Sequence, residues 1–192
     1  MLPTVMEERG ENIGPATIAA AREGDRDAFA AILLHFDPGL RDLAWRLLGD
    51  RQLMDDTLQT AYLKAFSSIA NFRGEASIGT WLYRIAYTTC IDSLGRGRRP
   101  VFVSLDDVSE QADDGPDAAE SLAVREAVAK ALSSLPTEQR AAVVLVDQEG
   151  FDYKSAAEIL DIPLGTLSSR LTAARAVLRE ALGGSRRAWE DR

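Results

Sequence analysis

The segment from Asp152 to Leu178, DYKSAAEILDIPLGTLSSRLTAARAVL, constrains this chain more than any other. Apolar residues recur there at helical spacing twice: Ala156, Ala157, Ile159 and Leu160, then Leu164, Leu167, Leu171, Ala174 and Leu178. Between the two sets lies DIPLGT. Pro163 cannot continue a helix but suits the first turn of one. Asp161 sits where a left-handed residue is often needed, and Asp tolerates that backbone better than most residues. Two short helices joined by a tight turn make a helix-turn-helix, whose second helix enters the DNA major groove. Ser168, Ser169, Arg170, Thr172 and Arg175 remain on the outward side, where they can donate to phosphates or base edges. The same pattern also describes a helical hairpin packed into a bundle.

Charge bears directly on which of these holds. The 192 residues carry a net charge of −8, unusual for a DNA binder. Residues 1–100 hold 12 basic and 13 acidic side chains, and residues 121–192 hold 10 of each. Residues 101–120 contribute seven acids (Asp106, Asp107, Glu110, Asp113, Asp114, Asp117 and Glu120) and no Lys or Arg. The acidity therefore belongs to a connecting segment. Neither flanking half is strongly basic, and affinity for duplex comes mostly from phosphate neutralisation, so the protein alone is expected to bind DNA weakly.

Other functions have little footing. No segment reaches the roughly 18 apolar residues of a membrane span, and the N-terminus, MLPTVMEERGEN, lacks a signal peptide's basic start and apolar run. Cys90, the only cysteine, excludes an internal disulfide and fits a reducing cytoplasm. No Cys/His set exists to hold zinc, His35 stands alone, and no cofactor is expected.

Periodicity places helices at about Thr17–Phe36 (interrupted by Gly24), Leu40–Leu48, Leu53–Ile69 and Ser77–Leu94, with Pro38-Gly39 as punctuation between the first two. The third is expected to bury Leu58, Ala61, Tyr62, Ala65, Phe66 and Ile69. Val101–Val103 is the only strand-like run. A second helical set covers Ala118–Leu132, Pro136–Gln148 and the helix-turn-helix. The predicted fold is all-α: a disordered N-terminus (1–15), a first helical domain (16–99), a flexible acidic linker (100–118), a second helical domain (119–182) and a polar tail (183–192) bearing Trp189.

The fourth helix carries TWLYRIAYTTCID, which clusters Trp81, Tyr83, Arg84 and Tyr87 behind a loop bearing Phe72 and Arg73. Aromatic and basic groups beside a loop suit the capture of unstacked bases. A half-buried helix face looks the same.

Taken in order, these motifs resemble the extracytoplasmic-function (ECF) group of bacterial RNA polymerase sigma factors, from about Ala28 to Leu182. The carriers are Asp55-Asp56 with Gln59, Tyr62 and Phe66, then Phe72, TWLYRIA and Asp92. In the second half they are SLPTEQRAAVVL, GFDYKSAAEIL, PLGT, SSRL and Ala174-Arg175. The resemblance implies a sigma region 2 bundle and a sigma region 4 helix-turn-helix. It implies that Asp55, Asp56, Gln59 and Tyr62 meet the β′ clamp of core RNA polymerase, and that region 4 sits on the β flap. Asn71, Phe72, Arg73 and Ser77 would accept a flipped base of the −10 promoter strand. Trp81, Arg84, Tyr87 and Thr88 would hold adjacent duplex. Thr166, Ser168, Ser169, Thr172 and Ala173 would face the −35 element, while Arg170 and Arg175 hold phosphate or brace the turn. It further implies an anti-sigma partner and no catalytic residue or metal of its own.

The chain also departs from the family. Tyr87 and Thr88 stand where a basic residue and Asn are common, and Gly95 stands where Arg is usual. Ser168, Ala173 and Ala176 occupy frequent basic positions. Fewer cations mean fewer phosphate contacts and a shallower salt dependence, hence reliance on polymerase docking. Promoter elements about 60 Å apart, taking 3.4 Å per base step, would stretch a linker whose relaxed span is about 25–30 Å. Two rival readings remain at this level. One is a dimeric helix-turn-helix regulator that binds DNA unaided. The other is a carboxylate enzyme using Asp55-Asp56, although the Glu-x-x-His pairs of bundle metal sites are missing.

Overall fold

A computed structural model describes residues 13–95 and 127–182. The readings made for the extreme N-terminus, the Val101–Val103 strand, the acidic linker, the start of the helix at Ala118 and the Trp189 tail lie outside the described residues. Every regular element among the described residues is helical.

Helix α1 (Pro15–Arg22) starts on a proline and ends at Gly24, whose positive φ of 97° breaks the chain as the sequence suggested. Asp25 then caps α2 by accepting hydrogen bonds from the backbone N–H groups of Asp27 (2.9 Å) and Ala28 (3.0 Å). Helix α2 (Arg26–Leu48) runs straight through Pro38-Gly39, so the expected break there is absent. An interior proline costs about 3 kcal/mol. Here Ile32 and Phe36 before it and Leu40, Leu43 and Leu47 after it form one buried stripe, and each such side chain returns about 1.5–3 kcal/mol on burial. The carbonyl that Pro38 cannot satisfy belongs to Leu34, which is exposed to solvent.

Gly49 ends α2 in the left-handed region, and Asp50 caps α3 (Arg51–Ser68) through the Leu53 N–H at 2.7 Å. A 3-10 turn (Ile69–Asn71) and a short loop lead to α4 (Ile78–Gly95). In α3, Leu58, Ala61, Ala65 and the following Ile69 are buried as predicted, but Tyr62 is only half-buried and Phe66 is exposed. Phe66 instead lies edge-on to Phe29 at the rim of the α2–α3 contact, ring centroids 5.2 Å apart.

The second region comprises α5 (residues 127–133), α6 (Thr137–Val143), which widens into a π-helical turn (Val144–Gln148), then α7 (Tyr153–Leu160) and α8 (Leu164–Leu182). Arg140 organises the start of this region. Its buried guanidinium donates to the carbonyls of Ser133 and Leu135, at the end of α5, and to that of Arg46 near the end of α2, each at 2.9 Å. Carbonyls at a helix C-terminus have no partner of their own and carry partial negative charge, so one cation closes two helix ends.

That bond also joins the two regions. The two helical regions expected from the sequence are both present, and in the structure they pack against one another, their buried apolar residues forming one cluster. Helix α4 lies on α7, and α2 touches α6 and the π turn. Tyr83 of α4 is fully buried. Its ring meets Phe151 edge-on at 4.7 Å, and its hydroxyl donates to the buried Glu149 carboxylate at 2.6 Å.

Candidate nucleic-acid interface

The helix-turn-helix forms as its sequence dictates. Asp152 caps α7 by accepting from the Ser155 N–H at 2.8 Å, and Ala156, Ala157, Ile159 and Leu160 are all buried. Hydrogen bonds from the backbone of Ser155, then from its hydroxyl, hold the Asp152 carboxyl below its ordinary pKa. Asp161 adopts the left-handed conformation (φ 54°, ψ 48°). Pro163 opens α8 by accepting from the Thr166 N–H at 2.9 Å. Leu167, Leu171 and Ala174 are buried and Leu178 is partly so, whereas Leu164 is exposed at the outer edge of the turn.

Along α8, Ser168, Ser169, Thr172 and Ala173 lie on an exposed face, with Thr166 and Arg170 half-buried beside it. The Ser169 and Thr172 hydroxyls donate back to the carbonyls of Thr166 and Ser168, both at 2.9 Å. Each hydroxyl oxygen keeps its acceptor capacity on this exposed face. Arg175 is committed elsewhere. Its Nε donates to Asp147 at 3.1 Å and its Nη1 to the Tyr153 hydroxyl at 3.0 Å, which raises its pKa further above the usual arginine range. Arg175 braces α8 against the π turn and the start of α7.

In the first region, Asn71 and Arg73 are exposed at the loop, but Phe72 is buried, its ring 5.4 Å from the half-buried Trp81. The Phe72 face is covered in this state. Ser77 caps α4 by accepting from the Thr80 N–H at 3.0 Å. Arg84 pairs with Asp161 of the helix-turn-helix at 3.1 Å. Tyr87 is half-buried next to the second region: burial raises the pKa of its hydroxyl, and the Arg170 charge opposes that rise. Thr88 is exposed and hydrogen-bonds the Arg84 carbonyl. The residues read as a duplex-holding face thus lie together on α4, with Arg84 and Tyr87 turned towards the second region.

On α3, Asp55, Asp56 and Gln59 are exposed. Asp55 accepts from Arg41 at 2.8 Å, and this pairing is the main reason the Arg41 pKa is raised. Asp56, Thr60 and Lys64 of α3 line a groove against Asp92 of α4, and Lys64 and Asp92 pair across it at 3.5 Å. The Tyr62 hydroxyl donates to Asp37 at 2.6 Å, and burial followed by that bond raises its pKa, so it ties α3 to α2. Periodicity places Phe66 inward, whereas the structure leaves it exposed beside this face together with Leu63, which the helical period does not assign to the core. Among the described residues, no group of three or more His, Cys, Asp or Glu is placed to hold a metal, and no helix is long and apolar enough to cross a membrane.

A helix-turn-helix packed on a helical bundle is an architecture found among DNA-binding transcription proteins. Comparison with known proteins narrows this. Residues 33–100 match Sigma-70 region 2, and residues 125–178 match Sigma-70, region 4. The chain is 36% identical to the ECF RNA polymerase sigma factor SigM of Mycobacterium tuberculosis over 175 residues, which is 91% of this chain and 87% of that protein. It is 32% identical to the RNA polymerase sigma-H factor of Pseudomonas aeruginosa, over 86% of this chain and 91% of that one. Among solved structures, CnrH in complex with the cytosolic domain of CnrY superposes with a TM-score of 0.67 at 25% identity, covering 88% of this chain and 96% of that one. The sigma factor RpoE of Bartonella quintana, crystallised with the anti-sigma factor NepR, gives 0.65 at 29% identity, covering 81% and 96%. The chain belongs to the ECF RNA polymerase sigma factors.

Proposed function

We propose that this sigma factor docks on core RNA polymerase through the exposed face of α3, with Asp56 and Gln59 as its polar contacts, and that region 4 seats on the β flap. Asp55 and Tyr62 hold that face in shape through Arg41 and Asp37. The 71–77 loop and α4 engage the −10 element, and the outward face of α8 reads the −35 element. The protein has no catalytic centre or cofactor of its own: phosphodiester chemistry belongs to the polymerase, and the sigma factor favours the melted promoter by binding it more tightly than the closed one. Opening a base step costs a few kcal/mol, and stacking one base on an aromatic returns about 1–3 kcal/mol. Capture of one or two bases against Phe72 or Trp81 is therefore comparable in scale with the local opening cost. An anti-sigma factor holds the protein inactive in the cytoplasm, as the NepR-bound relative suggests.

The observation that carries this reading is the conjunction, in one chain, of an open α8 face (Ser168, Ser169, Thr172, Ala173) and an exposed α3 face (Asp56, Gln59, Leu63). Run-off transcription with purified core polymerase on genomic DNA tests it. Selective start sites are expected only when the protein is added. Initiation no more selective than that of core polymerase alone overturns the reading.

A further inference from the structure

We propose that the contact between α4 and the helix-turn-helix region is a latch that keeps the two DNA-facing surfaces folded together, and that its opening limits engagement of polymerase and promoter. The inference rests on the sigma reading above and names how that activity is regulated from within the chain.

At the centre of the contact, Tyr83 fills a socket made by the π turn and the approach to α7. The wide turn shapes that socket: the Glu149 N–H reaches back to the Val144 carbonyl and the Phe151 N–H to the Leu145 carbonyl, both at 2.9 Å. Those long loops place the Glu149 carboxylate over the Tyr83 hydroxyl and the Phe151 ring against its edge. A π turn is less favourable than a plain α turn and is found mostly at functional positions. Around the centre, Arg84 meets Asp161, Arg170 lies near Tyr87, and Gln148 hydrogen-bonds Asp42 across the α2 side.

Two physical consequences follow. Arg84, which would neutralise a phosphate, is neutralised by a carboxylate, and Asp161 adds a negative charge where DNA would approach. Promoter elements separated by about 17 steps of 3.4 Å lie about 60 Å apart, whereas these two regions are joined by a 2.6 Å hydrogen bond. Both elements cannot be held at once while Tyr83 occupies its socket. The closed form is therefore a competitor of the transcribing form, and the latch sets the fraction that is competent.

The full-length chain, labelled on Ser67→Cys and Lys154→Cys with a donor and acceptor dye, reports separation of the regions by energy transfer. Tyr83→Phe keeps the ring and removes the hydroxyl bound to Glu149; loss of one buried hydrogen bond to a charged group shifts such an equilibrium by about tenfold or more. Asp161→Asn frees Arg84 while keeping a residue that tolerates the left-handed turn. Both variants are expected to lower energy transfer at unchanged helix content by circular dichroism, Tyr83→Phe strongly and Asp161→Asn only slightly, because the exposed Arg84–Asp161 pair contributes little. Each should also reduce, in proportion to its effect on transfer, the concentration giving half-maximal run-off with core polymerase. Unchanged transfer in both folded variants overturns the latch. Lower transfer with an unchanged concentration dependence overturns its gating role. If the wild-type chain directs no selective initiation, the sigma reading fails instead, and the transfer measurement alone decides whether this contact holds the regions together.

Discussion

Arg140 gives the sharpest quantitative prediction. Its guanidinium makes three hydrogen bonds of 2.9 Å to main-chain carbonyls and is 8% exposed. Hydrogen bonds from a charged donor contribute about 1.5–3 kcal/mol each, a gross gain of several kcal/mol. Against this stands the cost of taking a guanidinium out of water, whose signature is the lowering of the Arg140 pKa by burial. Arg140→Met keeps an unbranched stem and removes all three donors, leaving the carbonyls of Ser133, Leu135 and Arg46 to find water or go unmet. The expected loss is about 3–5 kcal/mol, the range for deleting one member of a buried charged network. At about 2–4 °C per kcal/mol for a chain of this size, the melting temperature should fall by roughly 6–20 °C. Arg140→Lys retains the charge but cannot span three acceptors in a planar fork, so it should fall between. Chemical denaturation followed at a helix-sensitive wavelength gives the free energies directly. If Arg140→Met unfolds within about 1 kcal/mol of the parent protein, the view of Arg140 as the clasp on two helix ends is wrong.

Three further outcomes are expected. Asp152→Ala should cost about 1 kcal/mol by uncapping α7; because the Asp152 pKa is lowered in the fold, its contribution is present above the unfolded value of about 3.9 and is lost as pH falls through the lower folded value. Melts from neutral to acid pH should therefore converge for parent and variant, and divergence refutes the cap. In salt titrations of promoter binding by the holoenzyme, Arg170→Ala should reduce the slope by about 1 whereas Arg175→Ala should leave it unchanged, since Arg175 is spent on Asp147 and Tyr153; equal slopes for the two variants contradict this division. Burial pushes the Cys90 thiol up to about 12, so a thiol reagent at pH 8 should label it only on unfolding, and rapid labelling of the native protein would show that the α4 core opens.

The parts of this protein legible in its sequence are those governed by local chemistry. The left-handed turn at Asp161, the proline start of α8 and the break at Gly24 each follow from one residue's backbone preference and its neighbours. The buried faces of α7 and most of α8 follow from period alone. What could not be read depends on distant partners. Pro38 looks like a stop until the stripe from Phe29 to Leu47 is seen to have a single continuous surface to cover. Phe66 and Leu164 obey the helical period yet sit at the margin of the packed face. Tyr83 belonged to an aromatic-basic cluster that suited base capture equally well, and only the arrival of Glu149 and Phe151 assigns it to packing. One signal was available: Ala141–Val146 is apolar at every position, too broad for a helix with one covered face, and in the structure this segment is where the two regions and the π turn converge.

The charge distribution gains a different meaning once the regions are seen together. The sequence placed the excess acid in the connecting segment and left both halves near neutral, which predicts weak binding to duplex. The structure reduces the available cation further, because Arg84 is held by Asp161 and Arg175 by Asp147. These two pairs differ in what releases them. The Arg175 pair lies within the second region and persists when the regions separate. The Arg84 pair crosses between them and dissolves as they part, so separation itself frees the Arg84 guanidinium on α4. The Arg84–Asp161 pair is exposed and worth at most about 1 kcal/mol, too little to hold the regions closed against a phosphate, so closure must rest on the buried Tyr83–Glu149 contact and its aromatic neighbour. Salt screens the attraction of Arg84 for Asp161 and for phosphate alike. Raising ionic strength therefore cannot substitute for polymerase as the agent of opening. What can do so is binding energy applied to both regions at once, from two docking sites too far apart for the closed form to reach.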